Sequence, residues 1–301
     1  MIEKAAACFA DRAWHGTAAV VENVQLARNT WRIRVACPEI ARRVVPGQFV
    51  MVRLADSDDP LLGRPLALYA TYPAGNGQPQ GIDLVYLVIG RMTRRLQALT
   101  PGSQVELWGP LGNGFFPHAA DHLLLVAGGI GQTPFPALAQ AYLGHRRFGD
   151  PPRMFPRAQK VTLCYGVRSA DYLAGLDDFA NLGVELRIAT DDGTAGHHGF
   201  VTDVLRNLLD EIGPVAANTN GDQRVPVRII SCGPEPMMQA VSKLAIQRNV
   251  PCEVSLETPM ACGIGICFSC VAKIRQADGS WDYRRTCIEG PVFDAASIVW
   301  E

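Results

Sequence analysis

Over the first third of the chain, apolar and polar residues alternate in short runs, the period-two pattern of strands with one buried face. The runs 18–26, 31–36, 49–54, 66–71, 82–89 and 105–107 are separated by turn residues: Pro46-Gly47, Gly75-Asn76-Gly77 and Pro101-Gly102. One helical run, 92–99, interrupts them. Short strands at this spacing predict an antiparallel β-barrel over 15–118.

From 119 to 250 the rhythm becomes strand, helix, strand. Apolar strands are expected at 122–127, 160–165, 184–190 and 227–231, and helices at 135–143, 201–209 and 236–247. This alternation predicts a parallel sheet covered by helices, a Rossmann-like α/β unit. Two stretches, 144–159 and 213–226, are polar or rich in Pro and Gly and read as surface insertions. Beyond 251 both periods fade, except that 271–275 and 281–285 flank Asp278-Gly279 as a hairpin would. The expected fold is thus multi-domain: a β-barrel (15–118), an α/β unit (119–250) and a small C-terminal unit (251–301).

Composition narrows the function classes. A chain of 301 residues can build two or three cores. A net charge of −1 with no basic run leaves nucleic-acid binding without an electrostatic footprint. No apolar stretch reaches membrane-spanning length; 122–130 is the longest and falls far short. The N-terminal charge pattern does not suit a signal peptide. Nine cysteines cannot all pair, and Cys8, Cys37, Cys164, Cys232 and Cys252 are scattered, which suits free thiols in a reducing cytoplasm.

The other four cysteines are grouped. Cys262, Cys267 and Cys270 have the spacing C-x4-C-x2-C, and Cys287 follows after sixteen residues. This is the plant-type ligand run of a [2Fe–2S] cluster. Gly263 and Gly265 let the backbone turn tightly between the thiolates, and the expected hairpin would return Cys287 to them. A structural zinc is the alternative, but zinc sites favour two close pairs and this grouping is three plus one.

Three further segments suit nucleotides. The expected strand ending at Ala127 runs into Gly128-Gly129-Ile130-Gly131 and then a helix, a layout in which backbone N–H groups cradle a pyrophosphate. Gly63-Arg64-Pro65-Leu66-Ala67 is either a preset phosphate donor with a strand beside a flavin or an ordinary strand start with a surface arginine. Met92-Thr93, after Gly90-Arg91, either caps a helix or meets a second phosphate. The loop 109–115 is a linker or a flavin wall. Cys232-Gly233 ends a strand at the sheet's carboxyl edge, where it meets nicotinamide or is a small packed residue. Asp191-Asp192-Gly193-Thr194 reads as turn chemistry, and the six histidines show no metal spacing.

Taken in order, the segments at Arg64–Ala67, Gly90–Thr93, Val126–Gly131, Cys232–Pro234 and the four cysteines resemble the ferredoxin-NADP reductase superfamily. The runs from Glu257 to Cys270 and from Arg285 to Phe293 are similar to the electron transfer subunits of class 1B dihydroorotate dehydrogenases. The resemblance runs from about residue 15 onward. It implies FAD on Arg64, Pro65, Leu66 and Ala67, on Val85, Tyr86 and Leu87, and on Met92 and Thr93. It also implies NAD at Gly128, Gly129, Gly131, Cys232 and Gly233, and a [2Fe–2S] cluster on the four cysteines. Two positions depart from the family: Ala67 lacks the family's serine hydroxyl, and Met92 replaces a glycine. The resemblance further implies a separate FMN-containing subunit that oxidises dihydroorotate in pyrimidine biosynthesis, paired with this chain in a heterotetramer. Electrons would run from FMN through the cluster and FAD to NAD. No acid–base constellation for an organic substrate is evident in the chain itself. The rival readings are a reductase subunit serving an oxygenase or an NADPH–ferredoxin or sulfide oxidoreductase, and a non-enzymatic iron–sulfur sensor or scaffold.

Overall fold

The computed structural model describes residues 9–75, 77–214 and 225–300. Cys8, Asn76 and most of the 213–226 stretch lie outside the described residues.

The first unit comprises β1 (Trp14–Ala27), β2 (Thr30–Ala36), α1 (Pro38–Arg43), β3 (Phe49–Leu54), β4 (Arg64–Pro73), β5 (Pro79–Leu87), α2 (Arg91–Gln97) and β6 (Gln104–Leu111). Its six strands close a barrel in the order β1-β2-β5-β4-β3-β6, with every neighbour antiparallel. Closure leaves no free sheet edge. Alternate residues point inward, so Val20, Ile33, Val35, Val50, Val52, Leu84 and Leu107 share one core. Ile40 of α1 and Met92 and Leu96 of α2 pack into the same core. The hydropathy pattern misses α1 because six residues carry too little period. Its signals are instead local: Pro38 in the first turn, and Arg42 and Arg43 in the last.

The second unit follows the expected rhythm: β7 (Ala120–Gly128), α3 (Phe135–Tyr142), β8 (Lys160–Val167), α4 (Leu176–Ala180), β9 (Glu185–Thr190), β10 (His197–His198), α5 (Val201–Ile212), β11 (Val225–Cys232) and α6 (Glu235–Gln247). Next come β12 (Cys252–Ser255), β13 (Val271–Arg275), β14 (Trp281–Arg285) and β15 (Val292–Asp294). The sheet order is β10-β9-β8-β7-β11-β12-β15. The chain lays strands outward from β7 and then returns to place β11 on β7's other flank. The crevice between the carboxyl ends of β7 and β11 is therefore the topological switch point, where such sheets bind ligands.

Two features depart from the sequence reading. The sheet does not stop near 251, because β12 pairs with β11 and β15 closes antiparallel on β12, with Ser255 opposite Val292. Both strands are too short to show alternation. The stretch 144–159 is also no surface insertion. Phe148 and Ala158 are buried, and the Phe155 ring lies edge-on to Tyr142 at 5.2 Å. Arg153 donates to the carbonyls of Asn113 and Phe115, both at 2.9 Å. Polar and Pro-rich composition conceals these few anchors.

The 109–115 loop is a junction between the units. The Asn113 amide donates to the Val292 carbonyl (2.8 Å) and accepts from the Val292 N–H (3.1 Å), while Gln48 donates to the Gly112 carbonyl (2.7 Å). Tyr69 of β4 donates to the Asp178 carboxylate of α4 at 2.5 Å, tying the barrel to the sheet unit.

Glu253 of β12 is buried with Oε2 unpartnered, and its other oxygen lies 3.7 Å from His118. Burial pushes its carboxyl up to about 7, Asp294 opposite adds to the rise, and Arg228 partly offsets it. A raised carboxyl favours the folded state at low pH, and this contribution is lost as pH climbs from the ordinary value of 4.5 through about 7. Glu253→Gln is therefore expected to raise Tm at pH 8, by a stability gain of at most about 3 kcal/mol, with little change at pH 4.5. Equal Tm shifts at both pH values would contradict this.

Candidate functional site

The loop between β12 and β13 carries three cysteines, and the turn after β14 carries the fourth. Gly263 and Gly265 have φ of +73° and +83°, and each is packed from the side. A Cβ on Gly263 would lie 2.6 Å from Met51 Cγ, and one on Gly265 would lie 2.8 Å from Ile288. Trp108 Nε1 donates to the Cys262 carbonyl (2.8 Å), and Arg285 donates to the Gly265 carbonyl (2.8 Å). Cys270 and Cys287 are buried with Phe49, Met51 and Leu111, so the loop sits on the barrel face of β3 and β6.

Cys262 is half-buried, Cys267 is exposed, and Cys270 and Cys287 are buried. Among the described residues, no three His, Cys, Asp or Glu side chains converge on one point as a single ion requires. The three-plus-one spacing of the four cysteines suits a [2Fe–2S] cluster better than a zinc site, which favours two close pairs. Ser269, 3.1 Å from Cys267, is the main cause that draws that thiol down to about 6, so the free thiolate is ready to bind metal. The donor set therefore fits the cluster.

Pro65 and Ala67 of β4 stand opposite Met51 and Phe49 on β3, the residues that carry the cysteine loop. The Arg64–Ala67 segment is thus one strand from the thiols. The Arg64 guanidinium is exposed, donates to the carbonyls of Leu62 and Gly63, and forms no ion pair among the described residues. An unpaired cation at a strand start suits a phosphate. Other expected flavin residues are placed differently. The side chains of Val85, Tyr86 and Met92 are buried in the barrel, and Tyr86 donates to Asn23 at 3.0 Å. Only their backbones remain for a cofactor, while Leu87 is half-buried. The Thr93 hydroxyl accepts from the Gly90 N–H at 3.1 Å, so it caps α2.

At the switch point, Gly128, Gly131 and Gly233 bring two loops together. A Cβ on Gly131 would lie 2.2 Å from the Cys232 carbonyl oxygen, and one on Gly128 would lie 2.6 Å from Met237 Sδ. Gly129, at φ +55°, has nothing within 4 Å of its Cβ position, so its backbone faces open space. Gln132 beside it is fully buried, with both amide atoms unpartnered. A closely packed glycine pair with one open backbone fits a pyrophosphate cradle. Packing raises the Cys232 thiol to about 12, so it stays neutral. Asp192 is tied into its turn by the Thr194 N–H and hydroxyl, at 3.0 and 2.6 Å. Sequence reasoning missed Trp108, Gln132 and Arg285; Arg285 alone had a signal, its place two residues before Cys287.

A closed barrel beside a switch-point nucleotide crevice, with a four-cysteine loop on the barrel wall, defines an iron–sulfur flavoprotein of the ferredoxin-reductase type. Residues 257–299 match the iron–sulfur cluster binding domain of dihydroorotate dehydrogenase B, and residues 125–243 match the oxidoreductase NAD-binding domain. The chain is 34% identical to the dihydroorotate dehydrogenase B (NAD(+)) electron transfer subunit of Desulforamulus reducens, over 94% of this chain and 98% of that one. It is 31% identical to the same subunit of Fusobacterium nucleatum, over 93% and 96%. The solved structure of an NADH-dependent reduced ferredoxin-NADP oxidoreductase superposes with a TM-score of 0.73 at 26% identity, covering 94% of this chain and 90% of that one. The chain belongs to the family of dihydroorotate dehydrogenase B electron transfer subunits.

Proposed function

We propose that this chain is the electron transfer subunit that links a dihydroorotate-oxidising partner to NAD in pyrimidine biosynthesis. The observation that carries this reading is the seat of the cysteine loop on Met51 and Phe49, directly across from Pro65 and Ala67. When bound, FAD supplies the change between two-electron exchange with nicotinamide and one-electron exchange with a [2Fe–2S] cluster. The chain's own residues hold these groups in reach of each other. Cys262, Cys267, Cys270 and Cys287 hold the irons, and Met51, Leu111 and Trp108 pack behind them. Arg64 holds a flavin phosphate, with Pro65, Leu66 and Ala67 and the backbones of Val85, Tyr86, Leu87, Met92 and Thr93 along the flavin. Gly128, Gly129, Gly131, Cys232 and Gly233 form the NAD crevice. The NAD(+) in the relatives' names supports NAD over NADP.

The proposed functional units are 15–118 for FAD, 119–250 for NAD and 251–301 for the cluster, with β12 and β15 of the last range joining the nucleotide sheet. The relatives' names make this chain a subunit, so a catalytic partner exists; it carries FMN and joins this chain in a heterotetramer. Its docking face is the cluster rim, where Ile266 and Phe268 are exposed beside the exposed Cys267. The Arg285 guanidinium lies 4.7 Å from the Phe268 ring and holds that residue outward. Among the described residues no helix is long and apolar enough to cross a membrane, and a cytoplasmic site is proposed. Family membership does not favour an oxygenase or ferredoxin/sulfide reductase role, nor a passive scaffold.

The test is reconstitution. The purified chain is expected to pass electrons from NADH to artificial acceptors but to leave dihydroorotate untouched. Mixed with the FMN subunit, it is expected to reduce NAD with dihydroorotate. Dihydroorotate-dependent NAD reduction by this chain alone, or none by the mixture, would overturn the assignment.

A further inference from the structure

The barrel has an exposed apolar rim next to Arg64 that none of the assigned sites uses. Leu61 and Leu62, 63% and 50% exposed, precede Arg64 in the β3–β4 loop, and Ile89, 75% exposed, follows β5. The two segments are fastened together. Arg91 forms an ion pair with Asp59, and Arg95 donates to the Asp59 carbonyl and to the Ser57 hydroxyl. Leu61, Leu62 and Ile89 therefore belong to one rim, within a few residues of one clamp. Arg64 supplies an unpaired positive charge at its inner end, and Arg94 is an exposed cation without an ion pair among the described residues.

Single exposed leucines need no explanation, but several gathered beside unpaired cations mark a ligand with an apolar ring and anionic groups. The placement of that ring follows from the site already described and rests on its flavin reading. The redox-active ring belongs beside Pro65 and Ala67, one strand from the cysteines. Arg64 stands at the start of β4, so it would hold the phosphates there, and the remainder of the molecule would reach past the strand start toward the 59–62 loop and Ile89. We propose that Leu61, Leu62 and Ile89 cover the adenosine half of FAD, and that the Asp59–Arg91 pair holds this cover closed. The cover offsets the hydroxyl missing at Ala67, and it makes the barrel select FAD over FMN.

The experiment is reconstitution of the flavin-stripped full chain with FAD and, separately, with FMN, following binding by flavin fluorescence quenching. The double variant Leu62→Ser/Ile89→Ser is expected to bind FAD about tenfold more weakly and FMN as the wild type does. Asp59→Asn is expected to weaken FAD about threefold, again without affecting FMN. All three positions are exposed, so circular dichroism and cluster absorbance should be unchanged. Unaltered FAD affinity in the double variant overturns the cover. An equal loss of FMN affinity overturns its assignment to adenosine. Arg64→Ala tests the layer beneath and is expected to weaken both flavins. If it weakens neither, the flavin site itself is misplaced, a failure distinct from that of the cover.

Discussion

Replacing Cys267 with serine is expected to remove most of the visible cluster absorbance while FAD remains bound. Cys267 is the exposed member of the four thiols, so the exchange removes a proposed ligand without opening a core. Serine cannot supply the soft thiolate that iron–sulfur clusters use. The proposed flavin segment belongs to a barrel whose six strands close without the cysteine loop, so its shape does not depend on the cluster. Iron and sulfide assays with the visible spectrum decide the matter. Full iron and sulfide content in the variant would remove Cys267 from the ligand set, and a colourless wild-type protein holding one zinc would remove the cluster altogether.

The second large effect is expected at Gly131. An added methyl would meet the Cys232 carbonyl oxygen at 2.2 Å, its carbon at 2.5 Å and the Gly233 nitrogen at 2.6 Å. All three are backbone atoms, so no rotamer change relieves the clash. The carboxyl ends of β7 and β11 must spread, and the dinucleotide crevice spreads with them. Displacements near 1 Å in a site that aligns two reactants cost about a hundredfold. Gly131→Ala is therefore expected to slow NADH reduction of the flavin by about that factor. Dithionite, which needs no crevice, should still reduce both centres. A normal NADH rate in stopped flow, with correct folding, would place the nucleotide elsewhere. Gly129→Ala makes a useful contrast: the space there is open, and the cost is the left-handed backbone, about 1–2 kcal/mol.

Much of this architecture was legible because it is written in local periods. The strands of the barrel alternate, the sheet unit alternates strand with amphipathic helix, and the cysteine spacing states its own geometry. What escaped was carried by few residues or by distant pairs. β12 and β15 are four and three residues long, too short for a period, and their role depends on each finding the other across the cysteine segment. The 144–159 stretch looked like surface because its anchors, Phe148, Phe155 and Arg153, are separated by polar and proline residues. Trp108 showed no signal at all: its indole meets the Cys262 carbonyl only after the cysteine loop docks on the barrel. In the proposed flavin site, Arg64 was readable from the proline beside it. The burial of Met92 and Val85 was not, because an apolar residue looks the same whether it lines a cofactor or fills a core.

The pairing of β12 with β15 has a consequence for how the iron–sulfur unit is built into the chain. Ser255 and Val292 are direct neighbours across an antiparallel ladder, and everything from 256 to 291 leaves and re-enters the sheet between them. Antiparallel neighbours can be joined by a turn of two residues. The cluster unit is thus a cassette spliced into a hairpin, its two ends already side by side. Replacing it with an Asn-Gly turn should leave a smaller reductase with its nucleotide sheet intact. The exposed wall of Phe49, Met51 and Leu111 would mark where the cassette had been seated.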